Sequence, residues 1–332
     1  MNALVTGGAG FIGSHVCEQL IAKHGPHCRV VALDDLSGGA AANVPTGVQF
    51  IQGSITDYAL LSSLFKAHRF DYVFHIAAYA AEGLSHYIRR FNYENNLVGS
   101  INLINLSVLH GIRCFLFTSS IAVYGSHQLP MVEELTPHPE DPYGIAKYAV
   151  ELDLQAAHRL FGLNYIIFRP HNVYGRRQNV ADKYRNVIGI FMGQLLRGEA
   201  MTVFGDGLQE RAFTHVSDVA PYIVAIVDKP ACYNGVFNVG ASRRTTVLQL
   251  ADLTARSFGV PSRVVHLPER PEVRFAYADH SKLSRLIDVG PELPLEAGLA
   301  DMAQWARTMP IQNPSQFGGI EIPTGLPPSW KS

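Results

Sequence analysis

Thr6-Gly7-Gly8-Ala9-Gly10-Phe11-Ile12-Gly13-Ser14-His15 follows directly on the apolar run Ala3-Leu4-Val5. A strand enters this stretch, three glycines stand three apart, and an apolar helix pattern (Phe11, Ile12, Val16, Leu20) leaves it. The spacing predicts a phosphate-cradling turn at the edge of a parallel sheet. Gly7 permits the tight turn, Gly10 lets backbone N–H groups approach a pyrophosphate, and Gly13 lets the helix pack close to its strand. The helix N-terminus adds partial positive charge for the phosphates. Alone, the pattern also fits an ordinary strand-to-helix turn, so the second strand has to decide.

That strand, Arg29-Val30-Val31-Ala32-Leu33, runs into Asp34-Asp35. Asp34 stands about 20 residues after the glycine turn, where an acid accepts hydrogen bonds from the hydroxyls of an adenosine ribose. A 2′-phosphate there would meet a carboxylate, and no Arg or Lys follows until Lys66. The expected cofactor is NAD rather than NADP.

Composition sets the outer bounds. The 332 residues allow one large domain or two closely packed ones. With 47% hydrophobic and 17% charged residues and a net charge of −1, the chain is globular, not disordered, and not built to coat nucleic acid. Cys17, Cys28, Cys114 and Cys232 are scattered, with neither zinc-type spacing nor a disulfide framework, and no metal is expected. Cys17 and Cys114 fall in apolar patterns and read as buried thiols. The glycine turn begins six residues from Met1, leaving no room for a signal peptide, and no apolar run reaches the ~18 residues of a membrane span. The expected compartment is the cytoplasm, with no membrane partner.

Strand-like runs near 2–6, 29–34, 48–52, 71–76, 113–118 and 163–169 alternate with helix patterns near 11–23, 57–67, 92–110 and 143–161. The alternation predicts an α/β fold with a Rossmann-type doubly wound parallel sheet. After Arg169-Pro170 segments shorten, and Gly, Pro and Arg become frequent. Residues 1–170 are therefore assigned to the dinucleotide domain and 171–332 to a smaller, partly interleaved α/β substrate-binding domain. The sheet is expected to be rejoined by about residues 213–240, where Val236-Phe237-Asn238-Val239-Gly240 reads as a late strand. Gln312 to Ser332 is rich in Pro and Gly, with no strong periodicity. Two apolar stripes at 4-3-4 spacing, Leu97-Ile101-Ile104-Val108 and Val150-Leu154-Ala157-Phe161, fit helix faces packed on the sheet. The same stripes also suit helices that meet their symmetry mates in a homodimer.

Asp141-Pro142-Tyr143-Gly144-Ile145-Ala146-Lys147 follows the fifth strand. Asp141 suits a helix N-cap and Pro142 the first helical position. Tyr143 and Lys147, four apart, then share a helix face. An ammonium beside a phenol favours the phenolate, which makes Tyr143 a general base with a lowered pKa. Thr118-Ser119-Ser120 closes the fifth strand at the carboxyl edge of the sheet, which faces the ligand crevice in such folds. A hydroxyl there either holds a substrate alcohol against the tyrosine or only satisfies loop backbone groups.

These segments together resemble the extended short-chain dehydrogenase/reductase superfamily. Within it the chain is most similar to the nucleotide-sugar 4-epimerases related to UDP-glucose 4-epimerase. The resemblance runs to about residue 290. Beyond the glycine turn and Tyr143…Lys147 it rests on Gly53-Ser54-Ile55-Thr56-Asp57, His75-Ile76-Ala77-Ala78, Asn96-Leu97-Val98-Gly99-Ser100 and Ser119-Ser120-Ile121-Ala122-Val123-Tyr124-Gly125. It continues through Arg169-Pro170-His171-Asn172-Val173-Tyr174-Gly175, Phe204-Gly205-Asp206-Gly207-Leu208-Gln209-Glu210-Arg211 and Arg270-Pro271. It implies Tyr143 as base, Lys147 on the nicotinamide ribose, and Ser120 on the sugar O4. It implies a cofactor site of Gly7, Gly10, Phe11, Ile12, Gly13, Asp34, Ile55, Asp57, Ala77, Ala78, Asn96, Ser119, Tyr143, Lys147, Arg169 and Pro170, with Asp57 near the adenine. Ser120, Tyr143, Asn172, Asn186, Val203, Arg211 and Arg270 would hold the substrate, a UDP-sugar, by its sugar and diphosphate. Guanidinium groups suit phosphate on chemical grounds as well.

The resemblance also separates reactions. Related 4,6-dehydratases carry Asp-Glu after the strand-5 hydroxyl, uronate decarboxylases a glutamate in that loop, and 3,5-epimerases a cysteine. Here Ile121 and Ala122 occupy those places. The expectation is an NAD-dependent isomerase, most simply a UDP-glucose/UDP-galactose 4-epimerase. The alternatives are a UDP-glucuronate 4-epimerase, or another nucleotide-sugar dehydratase or oxidoreductase. A non-catalytic NAD sensor is a third reading, which the intact Ser120, Tyr143 and Lys147 disfavour. Glu82 stands where many relatives carry a basic residue and would repel a sugar carboxylate. Ala276 falls where relatives gate N-acetyl sugars by residue size, and alanine leaves room. Near Arg270 the chain reads Arg-Pro-Glu-Val, one residue shorter than the family's usual Arg-Pro-Gly-Asp-Val. Gly175-Arg176-Arg177-Gln178 and Lys183-Tyr184-Arg185 add a basic stretch beside the implied diphosphate site, equally readable as a solvated loop.

Overall fold

The computed structural model describes residues 1–126, 129–269, 273–288, 290–311, 313–314 and 316–331. Short β-branched and aromatic runs form the main sheet: β1 (Asn2–Thr6), β2 (Arg29–Asp34), β3 (Gln49–Gln52), β4 (Tyr72–His75), β5 (Cys114–Thr118) and β6 (Tyr165–Pro170), then β11 (Gly235–Val239) much later in the chain. Their order is β11-β6-β5-β4-β1-β2-β3, all parallel. Strand order reverses at β1/β4, the switch point where a crevice opens at the carboxyl ends of the strands.

Helices cover both faces. On one, α1 (Phe11–His24) buries Val16, Cys17 and Leu20 with Ile223 and Val224 of α8 (Ala220–Ala225) against β1, β2, β5, β6 and β11. On the other lie α2 (Tyr58–His68), α5 (Gly99–Leu109) and α6 (Pro142–Phe161), which bury Leu61, Leu103 and Leu154. The expected helix over 92–110 starts earlier, at α4 (Arg89–Tyr93), and passes through a π turn at Glu94–Val98 before α5. That turn rotates the helix so that the Asn96 side chain faces the Tyr79 backbone instead of solvent. The stripe on α6 packs on the sheet through Val150, Leu154 and Ala157, but its last member, Phe161, is 63% exposed.

The smaller unit uses β7 (Val173–Tyr174), β8 (Met201–Phe204), β9 (Glu210–Ala212), β10 (Thr214–His215), β12 (Arg244–Thr246), β13 (Val264–Leu267) and β14 (Phe275–Ala276) in three small sheets. Around them α7 (Val187–Leu196), α9 (Val247–Ser257) and α11 (Leu295–Ala306) enclose a third apolar core around Phe191, Leu250 and Leu299. All four cysteines are free, with Cys17, Cys114 and Cys232 buried. Among the described residues no helix is long and apolar enough to cross a membrane, and no His, Cys, Asp and Glu cluster could hold a metal.

Candidate active site

A cavity of about 1220 Å³ opens at the carboxyl edge of the sheet and continues between the two units. At one end lies the glycine turn. Gly7 has φ +71°, and a Cβ there would stand 2.8 Å from the Ala77 nitrogen. A Cβ on Gly13 would stand 2.0 Å from the Gly7 carbonyl, so strand and helix approach as only glycine allows. Gly10, Phe11 and Ile12 also line this end, with Ile55, Ala77 and Ala78. Asp34 Oδ2 accepts from the Ala9 amide at 3.1 Å and Oδ1 from the Leu36 amide at 2.8 Å. Burial raises the Asp34 pKa, only partly offset by these amides, and no cation is among the groups acting on it. The cradle and the uncompensated acid fit a dinucleotide with a free ribose hydroxyl pair.

The reacting end is built on β5 and α6. Asp141 caps α6 by accepting from the Gly144 amide at 2.9 Å, and Pro142 starts the helix, placing Tyr143 and Lys147 on its buried face. Lys147 donates to the Thr118 carbonyl at 2.8 Å, and its ammonium lies 5.8 Å from the centre of the Tyr143 ring. Ser120 bonds the Tyr143 hydroxyl and also accepts from the Ala122 amide at 3.1 Å, so it serves the site and the loop together. One expectation needs correcting here. Burial pushes the Tyr143 phenol up, the Ser120 bond and the Arg185 charge pulling only weakly against it. The same burial pulls Lys147 down to about 7, which Glu151 opposes. In so dry a place desolvation outweighs the attraction between phenolate and ammonium. Lowering the phenol needs positive charge beyond what Lys147 supplies.

Three expected cofactor residues do not line the cavity. Asp57 spends its carboxylate on the Leu60 amide as the cap of α2. Asn96 receives the Tyr79 amide at 2.8 Å and donates to the Tyr79 carbonyl at 3.1 Å, so it shapes the wall from behind. Arg169 pairs with Glu151, Nε donating at 3.0 Å, both essentially buried, and Ser119 donates to the same carboxylate. Arginine and carboxylate so deep in the core must pair, and Nη1 of Arg169 is left without a partner. Pro170 and Ser119 do line the cavity. Arg270 lies outside the described residues.

From the smaller unit come Asn172, Asn186, Val203 and Arg211. Asn172, at φ +26°, donates to the Ala212 carbonyl at 3.0 Å. Asn186 donates to the Val173 carbonyl at 2.7 Å and caps α7. The Arg211 guanidinium is aimed by the carbonyls of Glu210, Val273 and Arg274. Ile121, Ala122, Glu82 and Ala276 also line the cavity. Sequence reasoning left the Lys183-Tyr184-Arg185 stretch undecided, and Arg185 turns out to enter the cavity. It lies 2.8 Å from Asp182, its guanidinium 4.5 Å over the Tyr79 ring. Ile322, Thr324, Pro327 and Trp330 form a further wall that the sequence did not announce.

The family model described as "NAD dependent epimerase/dehydratase family" matches residues 3–240. A putative UDP-glucose 4-epimerase of Methanocaldococcus jannaschii is 33% identical over 92% of this chain and 98% of its own. The crystal structure of a Thermotoga maritima UDP-glucose 4-epimerase with UDP-glucose superposes with a TM-score of 0.86 at 37% identity, covering 93% of this chain and 99% of that one. The Thermus thermophilus UDP-glucose 4-epimerase in complex with NAD superposes equally well, with a TM-score of 0.86 at 30% identity over 92% and 99%. A UDP-glucuronate 4-epimerase of Thermodesulfobacterium geofontis and a dTDP-glucose 4,6-dehydratase of an Actinoplanes species match at 28% and 31%.

Proposed function

The chain belongs to the NAD-dependent epimerase/dehydratase family, with NAD as its cofactor, and on that premise we propose that it is a 4-epimerase of a UDP-hexose, interconverting UDP-glucose and UDP-galactose. The observation that carries this reading is the minimal chemistry of the cavity beside the base. Ser120, Tyr143 and Lys147 can move the O4 proton, while Ile121 and Ala122 on the same wall can exchange none. A 4,6-elimination or a decarboxylation needs acid or base there; oxidation and re-reduction at C4 do not.

NAD supplies reversible hydride acceptance at C4. Tyr143 removes the O4 proton and later returns it, with Ser120 aligning the hydroxyl. Lys147 and Thr118 hold the base in register. Arg211, Asn172 and Asn186 hold the diphosphate, so that the sugar turns about that linkage and presents its other face. Glu82 lines the cavity and Arg185 lies against Asp182, which supports neutral hexoses over uronates as substrates. Ala276 leaves room for a 2-acetamido group.

Purified protein incubated with UDP-galactose should yield UDP-glucose without net release of reduced cofactor. No conversion of any UDP-hexose overturns the reading, and stoichiometric reduced cofactor with a stable keto product favours the one-way oxidoreductase instead. UDP-N-acetylglucosamine should react next best, and UDP-glucuronate least. The exposed Leu109, Ile145, Leu152, Leu160 and Phe161 on α5 and α6 support a homodimer, checked by sedimentation. Four unpaired thiols suit the reducing cytoplasm.

A further inference from the structure

We propose that residues 316–331 are a specificity-determining clasp. They close the sugar end of the catalytic cavity and keep the substrate and its keto form inside until turnover is complete. The proposal rests on the epimerase reading above and extends it.

Ile322, Thr324, Pro327 and Trp330 line the same cavity as Ser120 and Tyr143. The segment has little regular structure of its own, a single 3₁₀ turn at Pro328–Trp330, so it is held by what it touches. Glu321 accepts from the Arg90 and Phe91 amides, both at 2.8 Å, at the start of α4. The Glu321 and Ile322 amides donate to the Tyr87 carbonyl at 2.8 and 3.2 Å, and the Tyr87 hydroxyl donates to the Gly325 carbonyl at 2.8 Å.

These contacts join the two sides of the crevice. The Trp330 ring lies 6.2 Å from Tyr87, ahead of β5, and 5.4 Å from Tyr184, in the loop before α7. Phe317 repeats the bridge. Its amide donates to the Tyr184 hydroxyl at 3.3 Å, while its ring packs 5.2 Å from Tyr79 and 5.0 Å from Phe91. Leu326 and Trp330 are buried in this cluster with Leu84 and Ile88. Side-chain packing and hydrogen bonds, rather than regular secondary structure, hold the segment to its neighbours, so it can open while the two cores stay folded.

The chemistry gives such a clasp a purpose. With NAD bound, oxidation at C4 would pass the O4 proton to Tyr143 and leave the sugar a ketone while the cofactor would carry the two electrons. A ketone that escapes leaves those electrons behind and stops the enzyme. The wall is chiefly apolar and aromatic (Ile322, Pro327, Trp330), which suits the C–H faces of a pyranose and offers no cation to a carboxylate. A neutral hexose is the class it retains.

The test compares the full chain with a chain lacking residues 313–332 and with Trp330→Ala, each loaded with NAD and turned over with UDP-galactose. Both variants should raise KM about tenfold with NAD affinity unchanged. Both should accumulate enzyme-bound reduced nicotinamide, read by its fluorescence, with free keto sugar in equal amount. Trp330→Phe should restore retention. KM within twofold of the full chain and no reduced cofactor in either variant overturn the clasp while leaving the epimerase reading intact. A general fall in kcat and NAD affinity without keto sugar release also overturns it, since that is what mere loss of structure does. Should the full chain convert no nucleotide sugar, the epimerase reading and the clasp fall together.

Discussion

The dinucleotide end of the cavity is lined from within the first 80 residues, mostly by backbone and by glycines that admit no Cβ, whereas the sugar end gathers side chains from segments as distant as Ser120, Asn172, Arg211, Ala276 and Trp330. One end is a local motif set at the rim of a rigid parallel sheet. The other is an assembly that exists only when two units and an irregular segment meet. On the proposed reading this divides grip from movement: the cofactor meets mostly backbone and glycine, and the sugar meets side chains drawn from several segments. A reaction in which the substrate turns over within the site needs that division.

The comparison breaks most completely at the junction of the two ends. Tyr143→Phe should lower kcat by about 10³–10⁴ while NAD and UDP-hexose affinities stay within a few-fold, measured by steady-state kinetics and calorimetry. Loss of binding at either end would mean that Tyr143 is a structural element of the wall. Gly13→Val should break the dinucleotide end alone. Its Cβ cannot coexist with the Gly7 carbonyl, 2.0 Å from the position it would take. NAD affinity should fall about a hundredfold or more with UDP binding retained. Arg211→Ala does the converse, raising the KM for UDP-hexose about 10–100-fold with NAD affinity unchanged, as expected for one charge-assisted contact to a diphosphate.

Lys147→Met gives the smallest effect and the sharpest sign. Burial holds the Lys147 pKa near 7 against an ordinary 10.5. Between those values the unfolded chain binds more protons than the folded one, so stability rises with pH across that window. Lys147→Met removes this penalty. Tm should rise at neutral pH by a few degrees, and the gain should shrink towards about pH 10, while activity falls. A drop in Tm at neutral pH would mean that the bond to the Thr118 carbonyl outweighs the burial of the amine.

How much of this was legible in the sequence follows the same division. Strand and helix periodicity placed β1, β2, β5 and α6 within a residue or two, because each is set by neighbours a few positions away. The glycine turn, Asp34 and the Tyr143…Lys147 pair were readable for the same reason, since the spacing carries the geometry, whereas Ser120 came from the resemblance. Arg169, Asp57 and Asn96 were assigned to the cofactor through resemblance, yet they hold Glu151, the α2 amide and the Tyr79 loop. A residue's partner across the core is not written in its own segment. The protein's own groups do not lower the Tyr143 phenol as the spacing suggested, since spacing shows that a lysine is near but not how dry the pair is.

The sequence by itself determined the parallel sheet, the phosphate turn and the choice of NAD, since these depend on residue type at short, regular spacing. Only the tertiary structure decided that the Arg185 guanidinium lies over Tyr79 in the cavity and that Ile322, Thr324, Pro327 and Trp330 line it as well. Those contacts join residues more than 60 positions apart. They arise from burying aromatic and apolar surface against whatever the fold brings near, an energy that favours contact without regard to order along the chain.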